Sequence, residues 1–286
     1  MFPDEKAWCL GLSSKPREAA RLFATVAKES HWSPAFYSYL SACFYLEASF
    51  RDLFLLKEDK NPANPSLNTG DQTRESQEML RKALSLFRLV PNAVKKRKFS
   101  APPEVYAAHK SQAISVVVNK ILSITSEAQV NLQNCSDVKI KQLLNILFWP
   151  SWEIAYFWNG FFQIERRQDW IQDLDQSVRL INNFQPEQYE KVKLLYHLFK
   201  GSLLREEGKI IEADQELSLV VPSFEHSTKD EDQRWIIEFS KYERGLCAWE
   251  MKEKKEAAAW WNAIKDSNHP LDQRLRFRIR TALRRV

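Results

Sequence analysis

Residues 198–217 read LFKGSLLREEGKIIEADQEL, and the spacing inside this stretch decides the fold. Gly201 and Ala213 stand twelve positions apart, Gly208 lies between them, and Leu217 follows the alanine by four. Two antiparallel helices cross closely where each offers a small residue, and bulky residues around the crossing fill the gap to the next pair. The same step recurs in residues 245–261, GLCAWEMKEKKEAAAWW, where Gly245 and Ala257 are followed by Trp261. Ala7, Ala19 and Phe23 give it again near the start. Gly160 closes the apolar helical text Trp152–Asn159 and heads a weaker copy, with Gln172 where the alanine is expected. Successive glycines are 41 and 44 residues apart, longer than the roughly 34 of a standard tetratricopeptide unit, so these pairs carry extended helices or loops.

Composition agrees with a chain that is nearly all helix. It holds 6 glycines in 286 residues, where average usage would give roughly 20. That scarcity argues against Gly-rich phosphate loops, dinucleotide-binding turns and hairpin-rich β folds, all of which need positive φ. Hydrophobic residues at 44% and charged residues at 28% are globular values, and ten tryptophans supply a large core. Apolar residues recur with a period of 3.6, as in Ile114, Val117, Val118 and Ile121, or Trp235, Phe239, Tyr242, Leu246 and Trp249. The fold class expected is all-α, a tetratricopeptide-type superhelix (α-solenoid) of antiparallel helix pairs.

The expected organisation is an N-terminal helical repeat region over 1–58, a flexible loop over 59–74 (two prolines and a glycine in polar text), a long-helix region over 75–148, and repeats with a capping helix over 149–286. Ser33-Pro34 reads as a cap and first-turn proline, and Pro186 and Pro270 open later helices. Among the helices expected are 34–57, 73–90, 104–133, 137–148 and 151–165, with an irregular stretch from Pro91 to Pro103. No apolar run reaches the ~20 residues of a membrane span; Leu143 to Trp149 is the longest and stops at Pro150. MFPDEKAWCL carries acids where a signal peptide would carry bases, which reads as a soluble intracellular chain.

The net charge is +5, and residues 272–286, with Arg274, Arg276, Arg278, Arg280, Arg284 and Arg285 against Asp272, account for all of it. Lys95, Lys96, Arg97 and Lys98 form a second basic run. Either could meet phosphate or an acidic partner, or be a solvated helix end. Cys9, Cys43, Cys135 and Cys247 form no C-x-x-C pair; three of them sit in apolar helical text and are expected as buried, reduced thiols.

No catalytic constellation is present: no G-x-S-x-G, no H-E-x-x-H, no Walker loop. The five histidines lack i, i+4 pairs, so no metal or cofactor is expected. Asp169 and Asp173 share a face beside Trp170 without the adjacent acids that an Asp-rich metal site needs, which reads as a solvated face. A protein-binding groove is the better candidate. First-helix positions at set offsets from the small residue tend to line the concave surface of such arrays. They give Leu195, Leu198, Ser202, Arg205 and Glu206 in one unit, and Phe239, Tyr242, Leu246, Trp249 and Glu250 in the next. The second stripe also reads as inter-repeat core. The Lys/Asn pattern that clamps a peptide carboxylate is not visible.

The text from Pro16 through Glu29-Ser30-His31-Trp32-Ser33-Pro34-Ala35-Phe36-Tyr37-Ser38-Tyr39 resembles the tetratricopeptide repeat protein 39 family, with its "WS-x-A-x-Y-x-Y" segment after a "K-E-S" run. Trp158-Asn159-Gly160 is similar to the family's "WNG", Leu204 to Glu216 to its "G-x-x-x-E-A" turn, and Arg274 to Leu283 to its closing "R-x-x-F-R-I-x-x-A-L". Family members are typically about twice this long, so the chain looks like the C-terminal half. Fungal members are known as inclusion body clearance proteins and as mitochondrial outer-membrane-like proteins. The resemblance implies a non-enzymatic scaffold that binds proteins or peptides in clearing misfolded deposits, with a link to lipid droplets. It implies cytoplasmic and nuclear localisation and peripheral association with mitochondria or lipid droplets. No specific nucleic acid is expected, because on one helix Arg274, Arg278 and Arg285 fall near a common face and Arg276, Arg280 and Arg284 lie mostly off it. The alternative is a basic helical nucleic-acid-associated protein using the Arg274–Arg285 tail.

Overall fold

The computed structural model describes residues 2–31, 33–55, 69–94, 101–122, 139–140, 143, 150–181, 186–223, 225, 231–265 and 272–286. Among them are thirteen α-helices and no strand, an all-α helical-repeat fold. The chain forms two compact units, Met1–Trp158 and Asn159–Val286.

The first unit is built from α1 (Pro3–Leu12), α2 (Pro16–Glu29), α3 (Pro34–Phe50), α4 (Thr69–Ala93), α5 (Pro102–Leu122) and α6 (Pro150–Phe157). Prolines open five of these six, where the missing N–H is no loss and the fixed φ suits the first turn. α3 is the element on which α2, α4, α5 and α6 pack, and 14 of its 17 residues are buried. Such a helix is apolar nearly all round; buried Glu47 accepts from Arg51 at 2.8 Å, and two buried serines turn to backbone acceptors. Ser41 donates to the Ala20 carbonyl at 2.9 Å and Ser49 to that of Ser76 at 2.8 Å. Trp8, Phe23 and Phe44 tie α1, α2 and α3 together at ring separations of 5.6 to 6.2 Å.

The second unit contains α7 (Gly160–Gln163), α8 (Arg167–Ile181), α9 (Pro186–Glu206), α10 (Ile210–Ser218), α11 (Glu231–Glu250), α12 (Lys254–Asn262) and α13 (Asp272–Leu283). Its hairpins α9/α10 and α11/α12 carry the glycine–alanine steps. A Cβ on Gly201 would lie 2.6 Å from Leu217 Cγ and 3.1 Å from the Ala213 carbonyl; one on Gly245 would fall inside the Trp261 indole.

The three hairpins in phase also share one backbone turn. The residue seven beyond Ala7, Gly201 and Gly245 is left-handed in each: Ser14 at φ 58°, Gly208 at 79°, Lys252 at 70°. In each turn the next N–H reaches back five residues at 2.9 Å, from Lys15 to Leu10, Lys209 to Leu204 and Glu253 to Ala248. Ser14, Gly208 and Lys252 donate three residues back at 3.2, 2.9 and 3.0 Å. This paired 6→1 and 5→2 closure is the Schellman motif, which satisfies carbonyls that a helix end leaves open. Gly208 has open space around it, so Gly208→Ala should cost only the left-handed penalty, about 1 kcal/mol. Lys252→Gly, at the same point of the next hairpin, should cost nothing. Urea midpoints of the two variants check both.

Several local expectations are corrected. The helix expected over 151–165 breaks at Asn159, whose φ of 61° turns the chain, so Gly160 opens the four-residue α7 instead of continuing a long helix. Asparagine tolerates this conformation better than most residues. The loop expected over 59–74 lies outside the described residues as far as 68, and from Thr69 the chain is helical. α4 continues through Pro91 to Ala93. Ser33 holds the cap position of α3 without a side-chain cap bond. Cys43 and Cys247 are buried, but Cys9 is exposed, because the buried stripe of α1 is Ala7, Gly11 and Leu12. Cys135, Lys95 to Lys98, Pro270, residues 123–133 and most of the helix expected over 137–148 lie outside the described residues. No described helix is long and apolar enough to cross a membrane.

Candidate functional site

The stripe on α11 changes character along its length. Trp235 and Phe239 are buried in the core, whereas Tyr242, Leu246 and Trp249 are half-buried. These three line a cleft of about 140 Å³ with Trp261 of α12, with Phe277, Arg278, Thr281 and Ala282 of α13, and with Arg285. Trp261 is held by its indole N–H, which donates to the Tyr242 carbonyl at 3.2 Å, and its ring lies 6.5 Å from that of Trp249. Lys254 sits 5.2 Å over the outer Trp249 ring. Burial, then the charge of Glu243, pushes the Tyr242 hydroxyl up to about 12 against Arg278, Arg205 and Arg285, so it stays a neutral donor.

α13 divides its arginines. Leu275 and Ala282 are buried, and with half-buried Ile279 they form the ridge that caps the last pair. Arg278 and Arg285 face the α11 cleft, whereas Arg276 and Arg280 line a second hollow with Trp261, Ile264 and Lys265. Of the six arginines in the basic tail, these four therefore divide between two hollows, while Arg274 and Arg284 line neither of them.

Of the other positions expected in a groove, four lie in the core and three in an ion network. Leu195, Leu198 and Phe239 are buried, and so is Ser202, whose hydroxyl donates to the Leu198 carbonyl at 2.7 Å. Arg205, Glu206 and Glu250 belong to an ion network across α9 and α11. The Arg205 guanidinium reaches Glu206 at 2.6 Å, Glu243 at 3.0 Å and Glu250 at 3.1 Å. Burial works against its charge, but these three acids hold its pKa above the ordinary arginine range. Arg244 makes a parallel join between α10 and α11. It grips both carboxylate oxygens of Asp214 at 2.8 and 3.0 Å, donates to the Val221 carbonyl, and lies 4.2 Å over the Trp260 ring. Glu243, Arg244 and Asp214 were not singled out by periodicity, since charged residues inside apolar stripes read as solvated. Among the described residues, no group of His, Cys, Asp and Glu forms a metal-binding set. Asp169 pairs with Arg166 at 2.7 Å beside buried Trp170.

A third cluster joins α8, α9 and α10. Glu216 accepts from His197 at 2.7 Å and Lys200 at 3.2 Å, and Lys200 also reaches Asp175 at 3.0 Å. Burial tends to raise the Glu216 carboxyl, but the His197 hydrogen bond and the Lys200 charge outweigh it and hold it below the ordinary value. A depressed folded pKa gives stability above the unfolded value of about 4.3 that is lost as pH falls through the folded one. The melting temperature should therefore drop from pH 5 to pH 3, and Glu216→Gln should make that drop shallower. An unchanged slope in the variant would contradict this account of the cluster.

Residues 3–207 match the family described as Iml2/Tetratricopeptide repeat protein 39. The match ends one residue beyond α9, before the α11–α13 cleft. No solved structure matches the chain.

Proposed function

The chain belongs to the Iml2/tetratricopeptide repeat protein 39 family, and we propose that it works as a non-enzymatic interaction scaffold in protein quality control. The observation that carries this reading is the pair of in-phase hairpins α9/α10 and α11/α12. Charged side chains join their helices (Arg205 to Glu243, Arg244 to Asp214), and aromatic rings and two arginines line a cleft. Aromatics and arginine at an accessible hollow are the composition of a protein-binding surface. Clearance of inclusion bodies, with a link to lipid droplets, is the process we attach to the scaffold from its family resemblance. The test is clearance of an aggregating reporter in cells lacking the gene. Delayed clearance restored by the wild-type chain supports the assignment; normal clearance contradicts it.

The divided arginines bear on the nucleic-acid alternative. A protein that neutralises several phosphates shows a salt slope of about −0.9 per contact on duplex DNA. Arg276 and Arg280 lie in a different hollow from Arg278 and Arg285, so these four do not form one continuous track for a phosphate backbone. Fluorescence polarisation with duplex and single-stranded oligonucleotides should show no sub-micromolar binding near about 150 mM salt, since non-specific binding there is typically far weaker.

A further inference from the structure

The α11–α13 cleft is mainly hydrocarbon, with two cations in its lining. Tyr242, Leu246, Trp249 and Trp261 make its floor, and Phe277, 72% exposed, stands at its lip. Each charged group among the described residues lining it is a cation, Arg278 and Arg285. At about 140 Å³ it falls short of the roughly 300–1,000 Å³ that a drug-sized ligand or cofactor occupies, and suits a single side-chain anchor. Resting on the scaffold reading, we propose that this cleft receives an acidic peptide segment presenting one bulky apolar side chain between carboxylates. The side chain enters against Trp249 and Trp261, Phe277 closes over it, and the flanking carboxylates meet the two guanidinium groups, whose planar forks suit them.

The surroundings favour a peptide over a nucleic-acid strand, although bases also stack on aromatic rings beside arginine. One residue past Trp249 on α11 stands Glu250, 37% exposed and paired with Arg205 of α9. A strand with a charge at every residue would run onto this acid. A peptide can confine its acids to the arginine end. The exposed ring supports the same assignment, because a lone aromatic between arginines, opposite more aromatics, is the make-up of a binding hot spot.

The probe is a fluorescein-labelled peptide with one phenylalanine flanked on each side by two glutamates, titrated into the full chain and followed by anisotropy and tryptophan emission. Saturable binding is expected, weakened by salt and abolished when alanine replaces the phenylalanine or lysines replace the glutamates. Arg278→Gln with Arg285→Gln should weaken it about tenfold or more, as should Phe277→Ser. Arg276→Gln with Arg280→Gln, on the other side of the ridge, should leave it unchanged. All three sets are surface changes, and each is kept only if its circular dichroism and melting match wild type. No binding, equal binding of the lysine peptide, indifference to Arg278 and Arg285, or preference for an oligonucleotide would each overturn the proposal. Reporter clearance is scored separately in the Arg278→Gln/Arg285→Gln chain: if the peptide fails to bind while wild type restores clearance, the cleft assignment falls and the scaffold stands.

Discussion

Replacing Gly245 with leucine should unfold the C-terminal hairpin under conditions where the wild-type chain is fully folded. Even a methyl group at this position would overlap the Trp261 indole, which is 2% exposed and anchored to the Tyr242 carbonyl. Gly201→Leu meets Leu217 and the Ala213 carbonyl in the preceding hairpin, and a backbone carbonyl cannot swing aside as a flexible side chain can. Over-packing costs about 1–3 kcal/mol for a few added methylenes, and here the clash begins at the first carbon. Against that, removing a mid-helix glycine gains only about 0.8–1 kcal/mol of helix propensity. The clash wins, and each variant should lose about 3 kcal/mol or more. Equal denaturation midpoints for both variants and wild type would remove the close helix crossing on which the repeat phase rests.

The second large effect is expected at Arg205. Its guanidinium, on α9, pairs with Glu243 of α11, which is 3% exposed, and serves Glu206 and Glu250 at the same time. Removing one member of a buried ion pair leaves a carboxylate without the solvation that it gave up, a cost of about 3–5 kcal/mol. Arg205→Met should therefore destabilise by that order. Arg205→Lys should fall between, since an ammonium keeps the charge and loses the fork. Pairing Arg205→Met with Glu243→Leu should recover most of the loss, because the costly species is the stranded acid rather than the missing bond. A single variant within about 0.5 kcal/mol of wild type would show that the network does not join α9 to α11 energetically.

What was legible in the sequence was what short-range sterics dictate. Gly201, Ala213 and Leu217 could be read because a close crossing demands small residues at fixed steps, and the structure places Leu217 against Gly201. The left-handed turns at Ser14 and Lys252 could not be read, since neither is glycine and the conformation is imposed by closing the hairpin. Tyr242 and Trp249 were legible as candidates from helical periodicity. Depth was not: the same positional rule names Leu198 and Phe239, which tertiary packing buries. The other wall of the cleft, Phe277, Arg278 and Arg285, is brought opposite α11 only by the docking of α13, about thirty residues away in sequence. A pattern of alternating arginines there shows charge, and only the Leu275–Ala282 ridge shows which arginines part company.

The central claim is that the chain acts through protein contacts at this cleft, and site-specific photo-crosslinking in cells tests it most directly. A photoreactive phenylalanine analogue at position 277 is compared with one at position 162, which is similarly exposed, at 72% and 63%. The account predicts discrete protein adducts at 277 that disappear when the glutamate-flanked peptide is added to permeabilised cells, and none competed by it at 162. Adducts equally frequent at both positions, or adducts at 277 that the peptide does not displace, would contradict it.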